Sequence, residues 1–138
     1  MNTLGLATVA IYAALNTAVL IWLAVATGLV RQREKVYMGD GGNPRMIRVM
    51  RGHANAVEFI PITLICMVLA ALLGTSALIL HGLGILLTIG RVIHALHFTA
   101  ADAPAWQRMG GTSLSFLAMG GAGLAALVAG VTAMGVAV

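Results

Sequence analysis

The sequence predicts an all-α integral membrane protein, one domain over residues 1–138 folded as a bundle of four spanning helices. Three observations predict it. Apolar residues make up 60% of the chain and charged residues only 9%, proportions of a membrane protein rather than a soluble domain. No Asp, Glu, Lys or Arg occurs from Met1 to Val30, from Phe59 to Gly90, or from Met109 to Val138. A spanning helix needs about 20 apolar residues. The first and last runs therefore supply one helix each, and the middle run, breaking at Gly74-Thr75-Ser76, supplies two.

The first helix is expected over roughly residues 4–30. It is not a cleaved signal peptide: it lacks a basic start, is too long for an h-region, and its charges follow it. Ala10, Ala14 and Ala18 form a ridge of small residues at four-residue spacing, which favours close helix packing within a chain or between copies. Trp22 lies near its cytoplasmic end as an interface anchor.

The first loop, residues 31–51, holds Arg31, Arg33, Lys35, Arg45, Arg48 and Arg51 against only Glu34 and Asp40. By the positive-inside rule it is cytoplasmic, and both termini face the other side. The net charge of +4 is thereby explained by topology, and nucleic-acid binding is the wrong inference. The Met38-Gly-Asp-Gly-Gly-Asn-Pro44 stretch reads as turn chemistry, with Asn before Pro stopping a helix. It lacks the lysine and the strand–turn–helix context of a phosphate cradle.

The second helix, over roughly residues 52–74, is the most informative. Arg48, Arg51, His53, Asn55, Glu58 and Pro61 open it. At 100° per residue, Arg51, Asn55 and Glu58 fall within about 60° of one another, with Arg48 alongside. Ionisable groups in a span cost several kcal/mol unless paired or facing a wet cavity. The stripe is therefore either a register-fixing salt bridge from Glu58 to Arg51 or Arg91, or a grip for a polar ligand. Lone Cys66 reads as core packing, with no partner for a disulfide.

The third helix, over roughly residues 77–98, carries Arg91 and His94 about 60° apart on one face. Arg91 is too deep to snorkel and should meet an acid, for which Glu58 is at the matching depth. His97 points about 120° from Arg91 and is expected at the interface, and His81 at the opposite end as an exposed polar residue. His53, His94 and His97 lie toward one side, but no pair has the i, i+4 spacing that serves a metal ion. No metal is expected. A fourth helix follows over roughly residues 109–136, with small residues at Ala118, Ala122, Ala126 and Gly130 and with Trp106 and Arg108 before it.

The helix 2 pattern, Arg48-x-x-Arg51-x-His53-x-Asn55-x-x-Glu58-x-x-Pro61, resembles the signature of the MAPEG family, the membrane-associated proteins in eicosanoid and glutathione metabolism. So do Arg91-Val-Ile-His94-Ala and Thr27-Gly-Leu-Val-Arg31, and the resemblance covers the whole chain. It implies a homotrimer in the lipid bilayer of the bacterial inner membrane, with glutathione as co-substrate between neighbouring subunits. On that resemblance Arg51, Asn55 and Glu58 bind the tripeptide, Arg31, Arg91 and His94 join the polar cluster, and Arg108 stabilises the thiolate. The implied reaction is that of a microsomal glutathione transferase or peroxidase acting on a lipophilic small molecule. One departure stands out: Phe98 occupies a position near the end of helix 3 where eicosanoid-processing members carry tyrosine. The only tyrosines are Tyr12 and Tyr37. A rival reading from another class is a non-catalytic membrane subunit that keeps the fold. A small transporter fits less well, for want of an inverted repeat.

Overall fold

The computed structural model describes residues 2–136. Four helices run in order, α1 (Thr3–Glu34), α2 (Pro44–Leu72), α3 (Ala77–Thr99) and α4 (Ala105–Val136). All four are long and apolar enough to cross a membrane. The protein is an all-α four-helix membrane bundle.

The helices are longer than the charge pattern suggests, and the loop between α1 and α2 is correspondingly short. Asn43 and Pro44, expected to stop a helix, start one instead. The Asn43 side chain accepts from Met46 N at 3.0 Å, and Pro44 opens the first turn, where a missing N–H costs nothing. Helix α2 thus begins eight residues before the sequence expectation, at Pro44 rather than residue 52, and continues unbroken through Pro61. Helix α1 runs on to Glu34 and ends in a left-handed Lys35, φ 55°, whose N–H returns to Arg31 O.

Helices α2 and α3 touch each other and both remaining helices, whereas α1 and α4 do not meet among the described residues. The apolar core falls into three clusters along the bundle. One joins Val9, Tyr12, Met67, Leu80, Leu83 and Ala122 near the ends of α2 and α3 that meet at Gly74. A second joins Val19, Leu23, Ala56, Ile60 and Ala95, and a third joins Val30, Met46 and Val49 beside the first loop. Cys66 packs against the first of these. Large apolar side chains such as Ile11, Ile21, Ile65, Ile89 and Leu127 face outward, as lipid-facing surfaces do.

Helix α1 is held to α3 by polar rungs. Asn2 Nδ2 donates to Thr75 O at 2.7 Å, Tyr12 OH meets His81 Nδ1 at 3.0 Å, and Asn16 Nδ2 donates to Thr88 Oγ1 at 2.9 Å. The sequence separations stay between 69 and 73 residues, so the two helices run parallel and level. His81 is therefore not the exposed residue the sequence suggests. Its Nε2 also faces Thr8 Oγ1 at 3.4 Å, and Thr8 donates onward to Leu4 O.

Small residues set the other contact. Gly90 and Gly111 bring α3 and α4 so close that a methyl on Gly111 would sit 2.7 Å from His94 N and 2.8 Å from Gly90 O. Ala118 and Ala122 continue that buried seam, while Ala10, Ala14 and Ala18 on α1 all face outward.

Candidate functional site

Two arginines on the first turns of α2 are spent on the end of α3. Arg48 Nη2 donates to His97 O at 2.7 Å and lies 3.2 Å from His97 Nε2. Arg45 donates to the carbonyls of Phe98, Thr99 and Ala100. The last carbonyls of a helix have no partner within it and carry partial negative charge, so guanidiniums are suited to this place. Two expectations are corrected here. Arg48 does not continue the helix 2 stripe, because its long side chain reaches across to α3. His97 is buried rather than at the interface, its Nδ1 facing Pro104 O at 3.2 Å.

Arg91 is 1% exposed, and its partner is not Glu58. Its Nη1 donates to Asn55 Oδ1 at 2.8 Å, its Nε to Ser115 Oγ at 2.7 Å, and its Nη2 reaches Gly111 O at 3.5 Å. Ser115 in turn donates to Gly111 O at 2.7 Å. The guanidinium lies over the Phe59 ring, 4.8 Å from its centroid, a further stabilising contact for a cation out of water. The expected ion pair with Glu58 is absent among the described residues, since Glu58 points outward and is exposed. Neutral oxygens and an aromatic face do the work expected of an acid.

That arrangement orients Asn55. Arg91 can only donate, so Asn55 must present its carbonyl oxygen to it. The amide nitrogen is left for the cleft in whose wall Asn55 stands. This cleft, about 440 Å³, is lined by Arg51, Ala54, Asn55 and Glu58 of α2, His94 and Phe98 of α3, and Arg108 and Thr112 of α4. Its volume is that of small-molecule sites, about 300–1,000 Å³. Arg51, Glu58 and Arg108 are exposed at its mouth, Asn55 is half-buried, and His94 is buried.

The structure thus brings together Arg51, Asn55, Glu58, His94 and Arg108. Arg91 stands behind Asn55. Arg31 stands apart: its guanidinium ties down the first loop through Val36 O at 3.1 Å, Gly39 O at 2.8 Å and Met50 Sδ at 3.6 Å. Sequence reasoning missed Ser115 and Thr112, which lie on α4 beyond its one charged residue, Arg108, and it missed the contact that places Phe98. Phe98 fits because position 52 is glycine: a Cβ there would collide with the Phe98 side chain. Its ring lies against His94, centroids 4.6 Å apart and planes tilted 31°.

Comparison with known proteins finds a family and relatives. The sequence pattern of the MAPEG family matches residues 9–128. Over 89 residues the chain is 34% identical to the "Inner membrane protein YecN" of Escherichia coli (strain K12), covering 64% of this chain and 68% of that protein. The protein of the same name in Escherichia coli O6:H1 matches to the same extent.

Proposed function

We propose, for a chain that belongs to the MAPEG family, that the cleft binds glutathione and turns its thiol on lipophilic electrophiles. The carrying observation is the charge set of one cavity: two guanidiniums, Arg51 and Arg108, one carboxylate, Glu58, and the Asn55 amide. Glutathione offers an ammonium to Glu58, a carboxylate to Arg51 and, once deprotonated, a thiolate to Arg108, and a guanidinium clamps a carboxylate through paired hydrogen bonds. Arg108, at the start of α4, lies across the cleft as the cation that stabilises the thiolate. Attack on an acceptor dissolved in the bilayer follows, with proximity supplying much of the rate.

Exposed guanidiniums and a carboxylate on a spanning bundle are costly in hydrocarbon. The open side of the cleft is therefore the side a second copy covers, which supports a homotrimer with shared sites. The four spans and the inner-membrane relative support residence in an inner membrane. The basic residues around the first loop support a cytoplasmic cleft, with both termini on the far side.

Binding tests the reading. Calorimetric titration of glutathione into the purified, detergent-solubilised protein should show saturable binding that Arg51→Ala weakens at least tenfold. No binding at millimolar glutathione overturns it. Two observations favour a non-catalytic membrane subunit instead: Arg31, Arg48 and Arg91 are all engaged within the chain, and Phe98 brings no hydroxyl to the cleft.

A further inference from the structure

Helix α3 carries three histidines, and two of them have both ring nitrogens occupied. His81 is held by Tyr12 and Thr8, and His97 by Arg48 and the Pro104 carbonyl. His94 differs. It is 3% exposed and lines the cleft, yet no hydrogen bond to either ring nitrogen is present among the described residues. The rest of its surroundings hold it in place: its ring lies on Phe98, and Gly111 packs against its backbone. A rigid imidazole with free nitrogens in a cleft wall is built to meet something that enters.

We propose that His94 is the proton acceptor for the thiol that binds in this cleft; the proposal rests on the thiol reading above. Four titratable groups line the cavity: Arg51 and Glu58 from α2, His94 from α3, and Arg108 from α4. Arg91 and His97, also on α3, are the other titratable groups near it, both already bonded elsewhere. The guanidiniums stay protonated and cannot act as a base. Glu58 could, but its side chain is exposed at the mouth, whereas His94 is fixed inside the cleft wall with its ring nitrogens unbonded.

The step balances with a chloronitroaromatic acceptor. The S–H bond breaks as an N–H bond forms on His94, and the electron pair stays on sulfur beside Arg108. The thiolate forms the C–S bond as chloride leaves, and the imidazolium releases its proton to water at the cleft mouth. His94 and Arg108 then divide the work: one receives the proton and the other holds the charge left behind.

The test uses the full chain in lipid nanodiscs with glutathione and chlorodinitrobenzene. For the wild type, kcat should fall along an acid limb as pH drops. His94→Gln should lower kcat about a hundredfold, the usual scale of one acid–base group, while changing the glutathione Kd less than threefold. Its rate should then rise with hydroxide across the range, and added imidazole should restore part of the rate in His94→Asn. His97→Gln should keep the acid limb. An unchanged limb in His94→Gln overturns the proposal and leaves glutathione binding standing. Failure of the wild type to bind glutathione overturns both. If neither His94 variant folds, a wild-type rate rising with hydroxide throughout overturns it.

Discussion

Arg91 Nη1 sits 2.8 Å from Asn55 Oδ1, and this single bond joins the buried centre of the bundle to the wall of the cleft. The cation needs acceptors because it is out of water. Asn55 and Ser115 supply them from helices on either side, so the three residues behave as one unit.

Removing one member strands the others. Ser115→Ala and Asn55→Ala should each lower stability by about 1–3 kcal/mol, the usual cost of leaving a buried donor unsatisfied. Glu58→Gln should stay within about 0.5 kcal/mol, as surface substitutions do, because Glu58 is exposed. Thermal unfolding of the three variants in one detergent checks this. Equal losses for Glu58→Gln and Ser115→Ala would show that the acid shares the burden after all.

The α3–α4 seam predicts a contrast between adjacent glycines. Gly111→Ala would press a methyl onto His94 N and Gly90 O, backbone atoms that cannot swing away, at a cost of about 1–3 kcal/mol. At Gly110 the nearest atom to an added Cβ is Trp106 Cε3, at 3.9 Å. Gly110→Ala should be neutral or stabilise by about 0.5–1 kcal/mol through helix propensity alone. Denaturation midpoints of the pair decide it.

Arg45 fastens the end of α3 to α2. Arg45→Ala should free the carbonyls of Phe98, Thr99 and Ala100, and amide exchange over residues 96–100 should quicken at least tenfold. Exchange elsewhere in α3 should hold. Uniform quickening along α3 would mean that Arg45 supports the whole fold.

Arg108 bears on the proposed chemistry. Bound glutathione should show ultraviolet thiolate absorbance near neutral pH, and Arg108→Leu should abolish it while leaving the oligomer intact. Arg108→Lys should retain part of the signal, since charge survives but the planar fork does not. Unchanged absorbance and turnover in Arg108→Leu would remove this residue from the mechanism.

The helices were legible because charge-free runs of spanning length have few alternatives in a bilayer. The stripe of Arg51, Asn55 and Glu58 was legible as well, since helical angle alone puts them on one face, and all three line one cleft. Side-chain partners were not. Arg48 lies near the same stripe, yet its reach takes it to α3. Depth pairs Arg91 with Glu58, but depth says nothing of azimuth. Asn55, three residues before Glu58, is the one that faces it. Ser115 and Thr112 lie on a helix whose spacing marks only small residues, so nothing local told which serine or threonine would turn inward. The Asn43-Pro44 pair fits a helix stop and a helix start equally well. Only the acceptor contact with Met46 N decides between them.

The rungs between α1 and α3 act as an index mark. Apolar side chains are as content against lipid as against one another, so greasy contacts resist a helix sliding along its neighbour only through shape. A slip by one turn would part Asn2 from Thr75, Tyr12 from His81 and Asn16 from Thr88 together. Each such bond contributes only about 0.6 kcal/mol on average in a membrane, but they fail in the same movement, and no intermediate position restores them. Helix α1 is thereby locked at one height, and the loop that Arg31 anchors at its far end is carried to a fixed level relative to the mouth of the cleft.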